Sequence, residues 1–303
     1  MKATKVRRGE RLRKWLVSGP PLAYLIVFFA IPTLIMVLAS FRSPGEFGGL
    51  APLVDEAGKL DLNVDSYQRF VAEPVFAEIF VKSVWYALIT TLACLLLAYP
   101  LASLVARSSK RYRDLLLLLV ILPFWSNFLI RVYAWMIILG PNAAVARTVN
   151  RVLAVFGAGP VPLLFSSFAV LVCLVYVHLP FMVLPLYANL EKHDQALLDA
   201  AQDLGANAWQ RFWRITFPLS LPGVFAGAAL VFIPALGIFA IPDILGGPDD
   251  SMIGNLIKQQ FLETRDWPFG SMLSIMLTVA ALVLAGLAAW VGRRQVGGAP
   301  TRA

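Results

Sequence analysis

The stretch FSSFAVLVCLVYVHLPFMVLPLYANL, residues 165–190, runs for 26 residues without an Asp, Glu, Lys or Arg. A helix of about 20 apolar residues crosses the roughly 30 Å hydrocarbon layer of a bilayer, so this run reads as a membrane span. Five more of that size follow, at Pro21–Phe41, Ile79–Ala106, Leu115–Leu139, Pro218–Pro242 and Ser271–Val291. Prolines 32, 100, 123, 180, 185 and 234 interrupt them. In a bilayer such prolines are tolerated because neighbouring helices satisfy the freed carbonyls, so kinked spans packed as a bundle are expected. The expected fold is therefore an all-α integral membrane protein with six transmembrane helices.

Composition agrees. Of 303 residues, 59% are apolar and only 15% charged, with a mean hydropathy of +0.73. Soluble domains carry about 25% charge, so a water-soluble enzyme and a disordered chain are both excluded. The net charge of +8 would suit nucleic acid only if the cations shared one solvated face. They instead alternate between connections. Seven Lys/Arg lie before residue 15, four in 107–113, three in 191–217 and three after 291, which makes 17 of the 26 on one side. The other side holds nine cations and 12 of the 18 acids. The positive side is cytoplasmic, which predicts both termini inside the cell and makes the basic surplus topological, with no nucleic-acid partner.

The amino-terminal segment 1–20 is basic and cytoplasmic on this reading, and the apolar run after it is a retained anchor, longer than the core of a signal peptide. The six-span core occupies 21–291, with an external connection at 42–78 carrying seven acids and three bases, partly ordered against the bundle or a partner. Residues 292–303 are expected to form a flexible cytoplasmic tail. Cys94 and Cys173 each sit in an apolar run and read as packing residues, not as a disulfide or metal site.

The connection EKHDQALLDAAQDLGANAWQRFWRITFPLSLPG (191–223) has an internal design. Leu197, Leu198, Ala201 and Leu204 recur at helical spacing, and Gly205 is placed as the left-handed residue that ends a helix. Asn207 is positioned to cap a second short helix bearing a Trp209, Phe212, Trp213 stripe, after which Pro218 opens the next span. Ala200, Ala201 and Ala206 leave room for close approach of another surface. Spacing alone is equally compatible with an amphipathic connection lying on the membrane.

The order Asp199, Ala200, Ala201, three residues, Gly205, nine residues, Ile215, one residue, Phe217, Pro218 resembles the EAA loop of ABC-importer permeases. The departures are Asp for Glu at 199 and Phe for Leu at 217. The segments LPFWSNFLIRVYAW (122–135), FIPALGIFAIPDILGGP (232–248) and MIGNLIKQQFLETRDWPFG (252–270) narrow the resemblance to permeases of spermidine/putrescine importers, over essentially all six spans. What the resemblance implies is the type I importer permease core. It also implies a pair of permease subunits, usually paralogues, a cytoplasmic ATPase dimer that grips the EAA loop and an external polyamine-binding protein. ATP and Mg would be bound by the ATPase partner and no cofactor by this chain. Consistently, the one Gly-Lys pair, Gly58-Lys59, is followed by Leu60 and lies in no Walker A motif.

Candidate pathway residues follow from chemistry. Arg131 is an intramembrane cation that either contacts substrate or a gate, or snorkels as an interfacial anchor beside Tyr133 and Trp135. Asp243, after Pro242, either attracts ammonium groups at the pathway mouth or simply ends a span at water. Trp125, Tyr133 and Trp135 are an aromatic cation surface or an ordinary belt. His178 is a packing histidine or a proton relay, and Asn127 ties helices together or lines the pathway. An ion-coupled carrier, the competing class, would place carboxylates at the midplane, and no Asp or Glu lies well inside any of the six runs.

Overall fold

The computed structural model describes residues 17–54, 60–157 and 159–296, with side chains through residue 286. The basic start, Asp55, Lys59 and the Gly-Gly-Ala-Pro tail therefore lie outside the described residues. Among the described residues twelve helices form: α1 (Val17–Ala39), α2 (Asp65–Ala72), α3 (Pro74–Arg107), α4 (Lys110–Ile121), α5 (Phe128–Leu139), α6 (Ala144–Val155), α7 (Ser167–Leu190), α8 (Gln195–Asp203), α9 (Ala208–Gly237), α10 (Ala240–Leu245), α11 (Ile253–Leu262) and α12 (Trp267–Val296). Among the described residues six stretches are long and apolar enough to cross a membrane: α1, α3, the α5–α6 pair (Phe128–Val155), α7, α9 and the first 20 residues of α12.

Two of the expected spans differ from the structure. The run Leu115–Leu139 is not one helix: a 3-10 turn at Leu122–Trp125, containing Pro123, ends α4, and Ser126 is extended before α5 begins. Pro123 supplies no N–H to the helix, but Leu122 before it keeps helical angles (φ −48°, ψ −42°), so the run breaks at Ser126 and Asn127, where ψ is 150° and 139°. The run Pro218–Pro242 is also divided, because α9 stops at Gly237 and Ile238 is extended before the short α10. Pro218 stands in the first turn of the 217–237 segment, but the helix begun at Ala208 already runs into it through a π stretch at Phe212–Thr216.

That π stretch has a twin at Ile26–Ala30 in α1. In both, the residue immediately before a proline donates its N–H five residues back, Ile31 to Ile26 and Phe217 to Phe212. A proline ring clashes with the carbonyl four residues earlier, and widening the turn by one residue relieves that clash without ending the helix. Pro100, Pro180, Pro185, Pro222 and Pro234 all sit inside continuous helices.

The chain divides into two compact units. The first comprises residues 17–74 and 257–276. Its connection after α1 is ordered by Asp61, which accepts the Ser43 amide at 3.0 Å and hydroxyl at 2.7 Å and lies 3.8 Å from Arg42 Nε. The Ser43 hydrogen bonds, backbone first, hold the Asp61 carboxyl below its usual range. Arg69 of α2 pairs with Asp266 at 3.1 Å and lies over the Phe269 ring.

The second unit comprises residues 75–256 and 277–296. Its principal helix pair is α7 with α9. The approach is close because Gly223 and Gly227 face α7: a Cβ on Gly223 would stand 2.7 Å from Asn189 Cβ, and one on Gly227 2.7 Å from Met182 Sδ. Small residues four apart let helix backbones meet where lipid supplies no hydrophobic drive for association. Cys94 and Cys173 are buried among these helices as packing residues.

Candidate functional site

Two ends of the second unit carry polar chemistry, about 20 Å apart along α3 if Tyr86 and Tyr99 mark them. At the Tyr99 end lies the 191–217 segment. Asp194 caps α8 by accepting the Ala196 amide at 3.0 Å. The helix closes in a Schellman motif: Ala206 N–H donates to Ala201 and Gly205 N–H to Gln202, with Gly205 at φ +82°. Among the described residues nothing lies within 4 Å of a Cβ placed there, so the requirement for glycine is conformational.

Asn207 then starts α9 with a full capping box, exchanging hydrogen bonds with Gln210. Arg211 reaches back to Gln202 at 2.6 Å, closing α8 onto α9. Asp199 and Ala200 are exposed, while Ala201, Ala206 and Ile215 are half-buried and Pro218 is exposed. The aromatic stripe divides its work. Phe212 packs edge-on to Tyr99 of α3 at 5.3 Å, and the Tyr99 hydroxyl bonds Ser220 at 2.9 Å. Trp209, 70% exposed, and Trp213 are left on the surface with Leu204, 88% exposed. An apolar surface of this kind, built on a rigidly capped helix pair, suits a protein partner.

At the Tyr86 end, the connection between α10 and α11 is tied down by Asp250, which is only 4% exposed. Its Oδ1 accepts the Tyr86 hydroxyl of α3 and the Ser167 hydroxyl of α7, both at 2.5 Å, and its Oδ2 accepts the Gly247 amide at 2.8 Å. Burial alone pushes the carboxyl up, but the Ser167, Tyr86 and Gly247 hydrogen bonds and the Lys82 ammonium outweigh it and hold Asp250 below the usual carboxylate range. Lys82 donates to the Asp249 carbonyl, and Ser83 accepts the Ile253 amide at 2.7 Å. None of Asp250, Tyr86, Ser83, Gly223 and Gly227 was singled out by sequence reasoning. The Gly223, Gly227 spacing was the readable signal.

Of the expected pathway residues, Arg131 and His178 are linked through rings: Phe124, beneath Arg131, stands edge-on to Phe181 at 5.1 Å, and Phe181 lies 6.2 Å from the His178 ring. Asn127 is the N-cap of α5, accepting the Leu129 amide at 2.8 Å, a local role that neither earlier reading described. His178 is 2% exposed and its Nδ1 contacts the Leu174 carbonyl of its own helix at 2.8 Å, as a packing histidine does. Trp135 stands edge-on to Tyr176, while Trp125 and Tyr133 are exposed. The Arg131 guanidinium lies over Phe124 and Phe128 at 5.4 and 6.0 Å, its Nε buried without a hydrogen bond. Among the described residues no carboxylate lies within 4.0 Å of it. Asp243 is exposed on α10 and accepts Asn255, whose amide also donates to the Phe239 carbonyl at 3.0 Å.

Residues 98–297, which include both polar ends except the start of α3, match the family described as binding-protein-dependent transport system inner membrane component. The chain belongs to this family. The permease is 43% identical over 258 residues to the spermidine/putrescine transport system permease protein PotB of Escherichia coli, covering 84% of this chain and 89% of that one. It is 41% identical over 264 residues to the PotB of Haemophilus influenzae, covering 86% and 88%. Its fold is that of a chain in a bacterial alginate ABC transporter crystallised with an alginate pentasaccharide-bound periplasmic protein, with a TM-score of 0.72 at 19% identity over 96% of each chain. The permease is thus a multi-pass component of an importer's membrane part, and the ATP-hydrolysing machinery belongs to another chain of such a system.

Proposed function

We propose that this permease is one half of the translocation pathway of an ATP-driven importer for polyamines, delivered by an external binding protein. The observation that carries the substrate class is the 41 to 43% identity, over 84 to 86% of the chain, to permeases named for spermidine and putrescine. The second permease is a paralogue on this reading, and a cytoplasmic ATPase dimer grips the α8–α9 segment through Asp199, Ala200, Ala201, Gly205, Ala206 and Trp209. ATP binding draws the paired ATPases together, pulls the two coupling segments inward and swings the spans from inward-open to outward-open. Continuity of residues 208–216 with the fifth span inside α9 supports this transmission, because a helix without a break moves as a lever.

Both termini and Trp209 are cytoplasmic in this proposal, and Asp249 is external, following the 17 to 9 division of cations. Single cysteines at positions 209 and 249 in a chain lacking Cys94 and Cys173 are probed with an impermeant thiol reagent on intact cells. Labelling at 249 only is expected, and labelling at 209 only reverses the topology. For the substrate, ATP-dependent uptake of labelled spermidine and putrescine by vesicles holding the whole transporter is expected to persist when an ionophore collapses the proton gradient. Failure to accumulate either polyamine with the cognate binding protein present removes the substrate assignment.

A further inference from the structure

Helix α6 (Ala144–Val155) carries two exposed arginines, Arg147 and Arg151, one turn apart, and no acidic residue occurs anywhere between Asp114 and Glu191. Among the described residues neither guanidinium has a carboxylate within 4.0 Å. The charge asymmetry that orients the protein disfavours cations on the external side, where the proposed topology puts this helix, so topology does not account for the pair.

The helix has three faces. At about 100° per residue, Ala146, Val149, Asn150 and Leu153 form one stripe, Val145, Val152 and Val155 a second, and Arg147 and Arg151 a third, roughly a third of a turn apart. The first stripe is buried or half-buried against the protein, and Asn150 pins the returning chain by accepting the Val161 amide at 2.9 Å. The second is bare: Val152 is 52% exposed and Val155 80%, and Phe156 beyond the helix end is 81% exposed.

By length and composition alone, α5 and α6 together could cross a membrane. The turn at 140–143, closed by Ala143 N–H to the Gly140 carbonyl and containing Pro141, breaks that continuity. A crossing α6 would also leave both arginines facing hydrocarbon without partners, where intramembrane cations pair with one another's counterions or line water. A helix with one apolar and one cationic exposed face lies in the interface plane.

We propose that α6 is an interfacial helix that binds anionic phospholipid headgroups through Arg147 and Arg151 while Val152, Val155 and Phe156 enter the acyl region. The bilayer part rests on membership of the permease family and holds on either side of the membrane; only the external placement rests on the proposed topology. An Ala154→Cys variant, exposed on the water-facing side of the helix, probed with the impermeant thiol reagent reports that side separately.

The test uses the whole transporter in nanodiscs of phosphatidylcholine with or without phosphatidylglycerol. Nitroxides at Val155→Cys and Ala154→Cys are expected to differ, the first relaxed by oxygen and the second by a water-soluble nickel chelate. Phosphatidylglycerol retention, read by native mass spectrometry, is expected to weaken about 30-fold in the Arg147→Gln, Arg151→Gln double variant, from ~1 kcal/mol per cation beside an anionic surface. A nickel-accessible label at 155, or unchanged lipid retention in the double variant, overturns the proposal. Unchanged lipid retention together with weakened docking of the external binding protein identifies an acidic protein surface as the occupant and overturns it equally.

Discussion

Removing the Asp250 carboxylate should cost more than removing its charge. In Asp250→Ala, three donors lose a buried acceptor: the Tyr86 and Ser167 hydroxyls and the Gly247 amide. Hydrogen bonds to a charged acceptor contribute about 1.5–3 kcal/mol each, and the two hydroxyls recover part of that by turning, so a net loss of about 3–5 kcal/mol is expected. Asp250→Asn differs because the amide can flip, presenting its oxygen to Gly247 and its NH2 to hydroxyl oxygens that accept as readily as they donate. That variant should lose only about 1–2 kcal/mol. At ~2–4 °C per kcal/mol, the alanine variant should melt about 6–20 °C lower and the asparagine variant about 2–8 °C lower.

Cys94 and Cys173, both buried and free, are built-in reporters, since a thiol-activated fluorophore reaches them only on unfolding. The pH dependence has a definite sign. Asp250 is held below its ordinary 3.8, so it binds a proton more weakly folded than unfolded. Its stabilisation is complete above the usual carboxylate range and is lost as pH falls through 3.8 towards the folded value. The gap between wild type and Asp250→Asn should therefore close in acid. Equal melting of wild type and Asp250→Ala, or an asparagine variant as damaged as alanine, would falsify the hydrogen-bonded account.

Gly205→Val places a β-branched residue at φ +82°, costing about 1–2 kcal/mol locally, and should abolish substrate-stimulated ATP hydrolysis with the chain still inserted, whereas Gly205→Asn should retain most of it. Normal transport by the valine variant would remove the segment as the docking element. Gly223→Ala should destabilise more than Gly227→Ala, by about 1–3 kcal/mol, because the former meets Asn189 Cβ and the latter the movable end of Met182; reversal of that order in the same melting assay would refute the packing assigned to α7 and α9. Asp243→Asn should weaken polyamine uptake while sparing assembly and basal ATPase activity, and Arg131→Gln should leave uptake near normal because among the described residues its contacts are aromatic rings. Small additive effects of both on labelled spermidine and putrescine uptake would take these residues out of the pathway.

What could be read from the chain alone was whatever depends on neighbours within a turn or two. The apolar runs marked the membrane because solvent exposure is summed residue by residue. Gly205 and Asn207 were legible as a helix stop and a helix start because a Schellman closure and a capping box involve only residues 201–210. Local rules also explain the errors. Leu115–Leu139 and Pro218–Pro242 are uniformly apolar, and hydropathy does not register the breaks at Ser126 and Ile238 that backbone geometry imposes.

Tertiary structure decided which polar groups are partners. Asp250 meets Tyr86 and Ser167 across 164 and 83 residues of sequence, and Ser83 meets Ile253 across 170. No period or motif encodes such a pairing, so Asp250 looked like one acid of an exposed turn, and Asp243 drew attention instead. His178 and Asn127 were ambiguous for the opposite reason: each has a local backbone partner, which only folded coordinates reveal. Burial makes the Asp250 pairings obligatory, because a polar group removed from water must take the hydrogen bonds its surroundings offer, and those surroundings are assembled from distant segments.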